Sequence, residues 1–188
     1  MQVIHLIHGL HTFDPAQNIG RWMPYLEDAG FAVRVHRYGY LPFGLAWMRN
    51  PGIARRIANT VRADDILICH SNGAAIAYLI GEMRRFRGVV LVNGALDRDK
   101  VIPGVDWQMN YYTPGDDVLK YARIPFHLWG RIGTKGYSGH DSRNQDFNMA
   151  ELLPACRGHS DPFRKDYSPP WALRVAQQIY LMLGVTRS

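Results

Sequence analysis

Three side chains, far apart along the chain, are of the types that together make a hydroxyl nucleophilic. Ser71 stands in DDILICHSNGAAIA, residues 64–77, where the apolar run Ile66-Leu67-Ile68-Cys69 gives way to His70-Ser71-Asn72-Gly73 and then to an alanine-rich segment. A serine placed where a buried strand turns into a helix has a strained backbone, and small neighbours are needed where strand and helix pass close together. The pattern for such an elbow is G-x-S-x-G. Gly73 keeps the second small position, and Cys69, still compact, replaces the first. A serine hydroxyl is a poor nucleophile near neutral pH, so it needs a base within hydrogen-bond reach and a carboxylate to orient that base. Carboxylates are available in Pro114-Gly115-Asp116-Asp117, just after an apolar stretch ending Tyr111-Tyr112-Thr113. A histidine is available farther on, in the glycine-flanked run Arg157-Gly158-His159-Ser160-Asp161. Such a set can attack a carbonyl carbon and carry the acyl group on the serine.

The elements that must position these groups follow from periodicity. Residues 3–8 read as a strand broken by Gly9, and Ile19, Trp22, Met23 and Leu26 fall on one face of a helix over 18–29. Residues 31–38 form a second strand in which Val33 and Val35 alternate with Arg34 and His36, a pattern that fits a sheet edge. Residues 39–50 are aromatic and glycine-rich and read as a loop, and Ile53, Ile57 and Val61 define a helix over 51–62. The strand before Ser71 is followed by a helix carrying Ile76, Leu79, Ile80 and Met83, then by strands at 88–93, 107–113 and 124–129. Residues 130–158, polar and glycine-rich, read as a long surface loop. A final helix begins at Ser168-Pro169-Pro170, with Trp171, Val175, Ile179, Met182 and Leu183 facing inward. Strands alternating with helices in this rhythm give a three-layer α/β domain with a mostly parallel sheet of about six strands, in which ligands gather beyond the carboxyl ends of the strands.

Composition bounds the rest. At 188 residues and 47% hydrophobic content the chain, residues 1–188, fits one domain with a substantial core. The net charge of +6 comes from scattered basic residues. The densest group, Arg84-Arg85-Phe86-Arg87, falls where a helix should end, so a nucleic-acid surface is not expected. Two cysteines, Cys69 and Cys156, make no disulfide framework, which points to a reducing compartment. No apolar run approaches the roughly 20 residues that span a bilayer, and the amino-terminus reads directly as a strand, so a cytoplasmic location without membrane insertion is expected.

With these residues in view, the chain resembles the α/β-hydrolase superfamily, as a compact, capless serine hydrolase of the esterase and lipase type. The likeness runs from HLIHGL through the CHSNG elbow and PGDDVL to GHSD. It implies Ser71 as nucleophile, His159 as base and Asp116 as the orienting acid. The P-x-D-x-V-L run of the family favours Asp116 over Asp117. It also implies an oxyanion hole made of the backbone N–H groups of Leu10 and Asn72. The first two strands of the usual sheet are missing, and residues 97–104 leave no room for a helical cap. The site should therefore be open, walled by residues 40–47 and 130–147, with His11, Tyr40 and Phe43 as candidate substrate contacts. The resemblance implies a small-molecule ester as substrate and no cofactor, and the aromatic loop residues lead to the expectation of modest, apolar acyl groups.

Other readings compete. A thioesterase or peptidase would use the same triad, and a binding module could keep the fold without catalysis. A protein associated with nucleic acid would need a clustered basic stripe that the sequence lacks. Among the other histidines, His5 and His127 fall within strands and read as core or edge residues. His8 and His70 read as loop-holding hydrogen-bonders, and His11 and His140 lie in loops near the site. Residues 141–146 alternate oxygen-bearing side chains, but Arg143 occupies the third place and no glycine the sixth, so the run fails the calcium-loop template.

Overall fold

The computed structural model describes residues 2–10, 14–122 and 130–185, except the side chains of residues 43 and 120–122. Six strands form one sheet: β1 (Val3–Ile7), β2 (Ala32–His36), β3 (Ile66–His70), β4 (Phe86–Val92), β5 (Val105–Tyr112) and β6 (Asn144–Asn148). Their order is β2-β1-β3-β4-β5-β6, and every neighbouring pair is parallel. The helices are α1 (Met23–Asp28), α2 (Ala46–Ala58), α3 (Gly73–Met83), α4 (Asp117–Ala122), α5 (Ile132–Lys135), α6 (Met149–Leu152) and α7 (Ser168–Met182).

Strand alternation sorts the core into two halves. Leu67, Cys69, Val89 and Leu91 point to one face of the sheet and pack with Ile53 and Ile57 of α2 and Ile76 and Ile80 of α3. Ile66, Ile68, Val90 and Val92 point to the other and pack with Leu26 of α1 and Trp171, Val175 and Ile179 of α7. β3 is buried along its whole length, which is why its sequence is a continuous apolar run. β2 lies at one edge, as its alternation predicts. Residues 93–104, between β4 and β5, carry no helix, so no cap is inserted there.

Three expectations differ from what is observed. The segment expected to be one long loop, 130–158, contains α5, the edge strand β6 and α6. β6 has the sequence NQDFN, in which only Phe147 is apolar, because an edge strand with two exposed residues needs no apolar alternation. α2 starts at Ala46 and carries Pro51 in its interior, so the proline does not mark the helix start. The helix expected over 18–29 is a 3-10 turn, Ile19–Trp22, followed by α1, with Pro24 near the start of the second piece. The strand expected at 124–129 lies outside the described residues, as does His127. Among the described residues no helix is long and apolar enough to cross a membrane.

A chain of buried polar groups ties β1 to its neighbours. His5 Nε2 lies 3.1 Å from Asp65 Oδ2, and His5 Nδ1 lies 2.8 Å from His36 Nε2. Asp65 also accepts from the backbone N–H groups of Val3 and Arg62, so its carboxylate joins the start of β1 to the turn before β3. Burial holds the His5 imidazole below its ordinary value, against the pull of Asp65. Burial, reinforced by His5, lowers His36 to about 3, and burial lowers His8 to about 4. These rings are neutral in the folded protein, whereas unfolding returns them to their ordinary value of 6.5. Between those values the unfolded chain binds more protons, so stability is complete above about pH 6.5 and falls as pH drops toward 4. The urea midpoint is therefore expected to fall between about pH 7.5 and about pH 5, and to fall less in His36→Asn. An unchanged midpoint across that interval contradicts this assignment.

Candidate functional site

Ser71, at the carboxyl end of β3, meets the turn after β1 and the end of β4, and the end of β5 bonds the neighbouring Asn93. The Ser71 φ of 53° lies in the left-handed region, and the only other described non-glycine residue there is Asn93, at 46°, at the end of β4. A left-handed serine costs on the order of 1–3 kcal/mol and persists only where its surroundings enforce it. Here they do. The Ser71 N–H donates to the Val92 carbonyl, and the Ser71 carbonyl accepts from Ala74 and Ala95.

Two glycines let the chain approach this turn. A Cβ on Gly73 would lie 2.6 Å from the Ile7 carbonyl oxygen, and one on Gly9 would lie 2.7 Å from Ser71 Cβ and 3.2 Å from its Oγ. The turn after β1 is thus pressed against the serine, and any side chain at Gly9 would displace it. Cys69, at the other small position of the elbow, is fully buried, and burial pushes its thiol up. The amino-terminus of α3, whose first turn begins at Gly73, concentrates partial positive charge beside the serine oxygen.

His159 and Asp116 are brought together, although 43 residues separate them. His159 Nδ1 lies 2.6 Å from Asp116 Oδ2. Asp116 Oδ1 accepts from the N–H groups of Val118 and Leu119, so one oxygen caps α4 while the other faces the imidazole. Asp116 is 1% exposed, whereas Asp117 is exposed, and of the two it is Asp116 that holds the ring. The Asp116 carboxylate accepts a hydrogen bond from the His159 Nδ1–H, which leaves Nε2 with its lone pair.

The loop carrying His159 is pinned to the strand ends next to Ser71. The His159 carbonyl accepts from Asn93 Nδ2 at 2.8 Å and is 3.1 Å from His70 Nε2. The His70 and His159 rings sit 4.6 Å apart. Burial, together with the nearby His159, lowers the His70 imidazole, so it is neutral and its Nε2–H donates to that carbonyl. His8 plays the loop-holding part expected of it: Nδ1 lies 2.8 Å from the Gly9 carbonyl, and the ring stacks on Tyr38, whose hydroxyl donates to the His8 carbonyl.

Two participants escape sequence reasoning. Asn50 of α2 and Asn72 exchange a reciprocal pair of side-chain amide bonds, 2.9 and 3.0 Å long, with both residues buried. No local pattern announces a contact across 22 residues. Asn93 had a readable signal, since an asparagine between a buried strand and Gly94 is a residue that tolerates the left-handed region. Of the candidate substrate contacts, Tyr40 is 38% exposed. His11 and the Phe43 side chain lie outside what is described. His140 is exposed, and residues 132 and 133 bond to the carbonyls of Leu96 and Gly94, so this part of the expected wall braces the exit of β4.

No family model matches the chain, and no curated protein matches it in sequence. Solved structures do match along its whole length. The ydeN gene product from B. subtilis is 13% identical, with a TM-score of 0.61, over 96% of this chain and 100% of that one. An extracellular alpha/beta-hydrolase from a Paenibacillus species is 12% identical, with a TM-score of 0.60, over 97% and 99%. A pyrethroid hydrolase from Sphingobium faniae is 14% identical, with a TM-score of 0.57, over 97% and 97%. The parallel six-stranded sheet, the helices on both its faces and these likenesses agree: the chain has the α/β-hydrolase fold.

Proposed function

We propose that the protein is a serine hydrolase that cleaves a carboxylic ester through an acyl-serine intermediate. The observation that carries this reading is the 2.6 Å contact between His159 Nδ1 and the buried Asp116 Oδ2, with His159 on a loop anchored beside a left-handed Ser71. With Nδ1–H committed to the carboxylate, Nε2 is the basic nitrogen. Ser71 Oγ attacks the carbonyl carbon as Nε2 takes its proton, and the same proton then passes to the departing alcohol oxygen. Water, deprotonated by the same nitrogen, releases the acid and restores the serine.

The developing oxyanion is assigned to the backbone N–H groups of Leu10 and Asn72. Support comes from the tight approach of Gly9 to Ser71 and from the position of Asn72 at the start of α3, where helix and donor act in the same direction. The Asn50–Asn72 amide pair holds that donor in place. Similarity to proteins named as hydrolases adds support for the reaction class. A cytoplasmic site of action is consistent with two buried free cysteines.

Ser71→Ala is expected to lower kcat on a p-nitrophenyl ester by about a thousandfold or more. Retention of activity within about tenfold would contradict the assignment. Turnover of matched esters, acyl thioesters and anilides is expected to be greatest for the ester, and a preference for either other leaving group would move the reading to a thioesterase or amidase. Asn50→Leu leaves the buried Asn72 amide without its partner. It is expected to lower unfolding free energy by about 1–3 kcal/mol and to reduce kcat more than it raises KM. Unchanged stability and kcat would remove the pair from the account.

A further inference from the structure

A groove of about 270 Å³ opens beside the elbow, between α2 and the first half of α3. Its walls are Trp47 and Pro51 from α2, Ala75, Tyr78 and Leu79 from α3, and Leu96 from the loop after β4. Three of its lining residues are tied to Ser71. Ala75 is about one helical turn beyond it, Leu96 follows the residue whose N–H donates to the Ser71 carbonyl, and Asn50 is bonded to Asn72. Asn50 also lines the groove, yet its amide oxygen and nitrogen are both engaged by Asn72, so it adds little demand for a polar guest. Trp47 is 51% exposed and forms a lip rather than a buried wall.

A largely apolar groove selects hydrocarbon over a charged or hydroxylated group, because burying an unpaired polar atom there is costly. We propose that this groove seats the acyl chain of the ester, that the chain is a short or medium straight one, and that Ala75 sets its length. The inference rests on the reading of Ser71 as nucleophile. The acyl carbon would be bound at Ser71 Oγ, and the chain would run along α3 past Ala75 toward Trp47. Ala75 carries the smallest side chain of the lining residues, and enlarging it fills the path.

The test is kcat/KM on p-nitrophenyl acetate, butyrate and hexanoate, read as the hexanoate-to-acetate ratio. In the unsubstituted protein the value should rise up to about fourfold for each added methylene that finds apolar surface. Ala75→Leu and Ala75→Phe should lower the ratio in order of side-chain volume, the phenylalanine by about tenfold or more. Leu181→Ser, at an exposed position of α7 across the sheet, should leave the ratio as it was. The graded pair keeps the test decisive if the larger side chain prevents folding, since Ala75→Leu alone must still lower the ratio. Ester hydrolysis with an unaltered ratio in both Ala75 variants overturns the groove assignment and leaves the hydrolase reading standing. Absence of ester hydrolysis in the unsubstituted protein overturns the hydrolase reading itself.

Discussion

The left-handed backbone at Ser71 is the constraint from which most of the surrounding architecture follows. A serine does not adopt φ of 53° unaided, and here its N–H donates to Val92 while its carbonyl accepts from Ala74 and Ala95, which hold it there. Turning so sharply from β3 into α3 forces the start of the helix against β1, which only Gly73 permits, and brings the loop after β1 against the serine, which only Gly9 permits. The oxygen is thus presented at the rim of the sheet, with a helix amino-terminus on one side and a backbone loop on the other.

The second requirement is to bring in an imidazole from the far end of the chain. Anchoring is concentrated on one atom, the His159 carbonyl, which receives His70 and Asn93, the residues at the end of β3 and just beyond β4. The ring is then oriented by Asp116 from the turn after β5. Each contact alone is modest, about 1 kcal/mol net for a neutral hydrogen bond and more for one to a carboxylate. Together they fix position and rotation of a ring on an otherwise irregular loop, and preorganisation of this kind is where positioned acid–base groups gain their effect.

How much of this the sequence revealed depends on whether the cause is local. The elbow was readable because a strand buried on both faces must be continuously apolar, and the turn after it must use small residues. Asp116 and His159, which the structure brings together, were singled out by turn-rich loops in the order Ser, Asp, His, and only the resemblance to P-x-D-x-V-L favoured Asp116 over Asp117. β6 was not readable, because NQDFN sits at a sheet edge and carries a single apolar residue. Pro51 misled because a proline more often opens a helix than sits inside one. The Asn50–Asn72 pair and the groove beside it arise from packing α2 against α3, and neither helix alone encodes that meeting.

The central claim is that Ser71, and no other hydroxyl or thiol, is made nucleophilic by these surroundings. Its most direct measurement is peptide mapping by mass spectrometry after reaction of the intact, folded protein with a fluorophosphonate. The account predicts one adduct, on Ser71, forming much more slowly in Asp116→Asn, where the acceptor that orients His159 is weakened. An adduct on another residue, or no adduct at all on the folded protein, would contradict it.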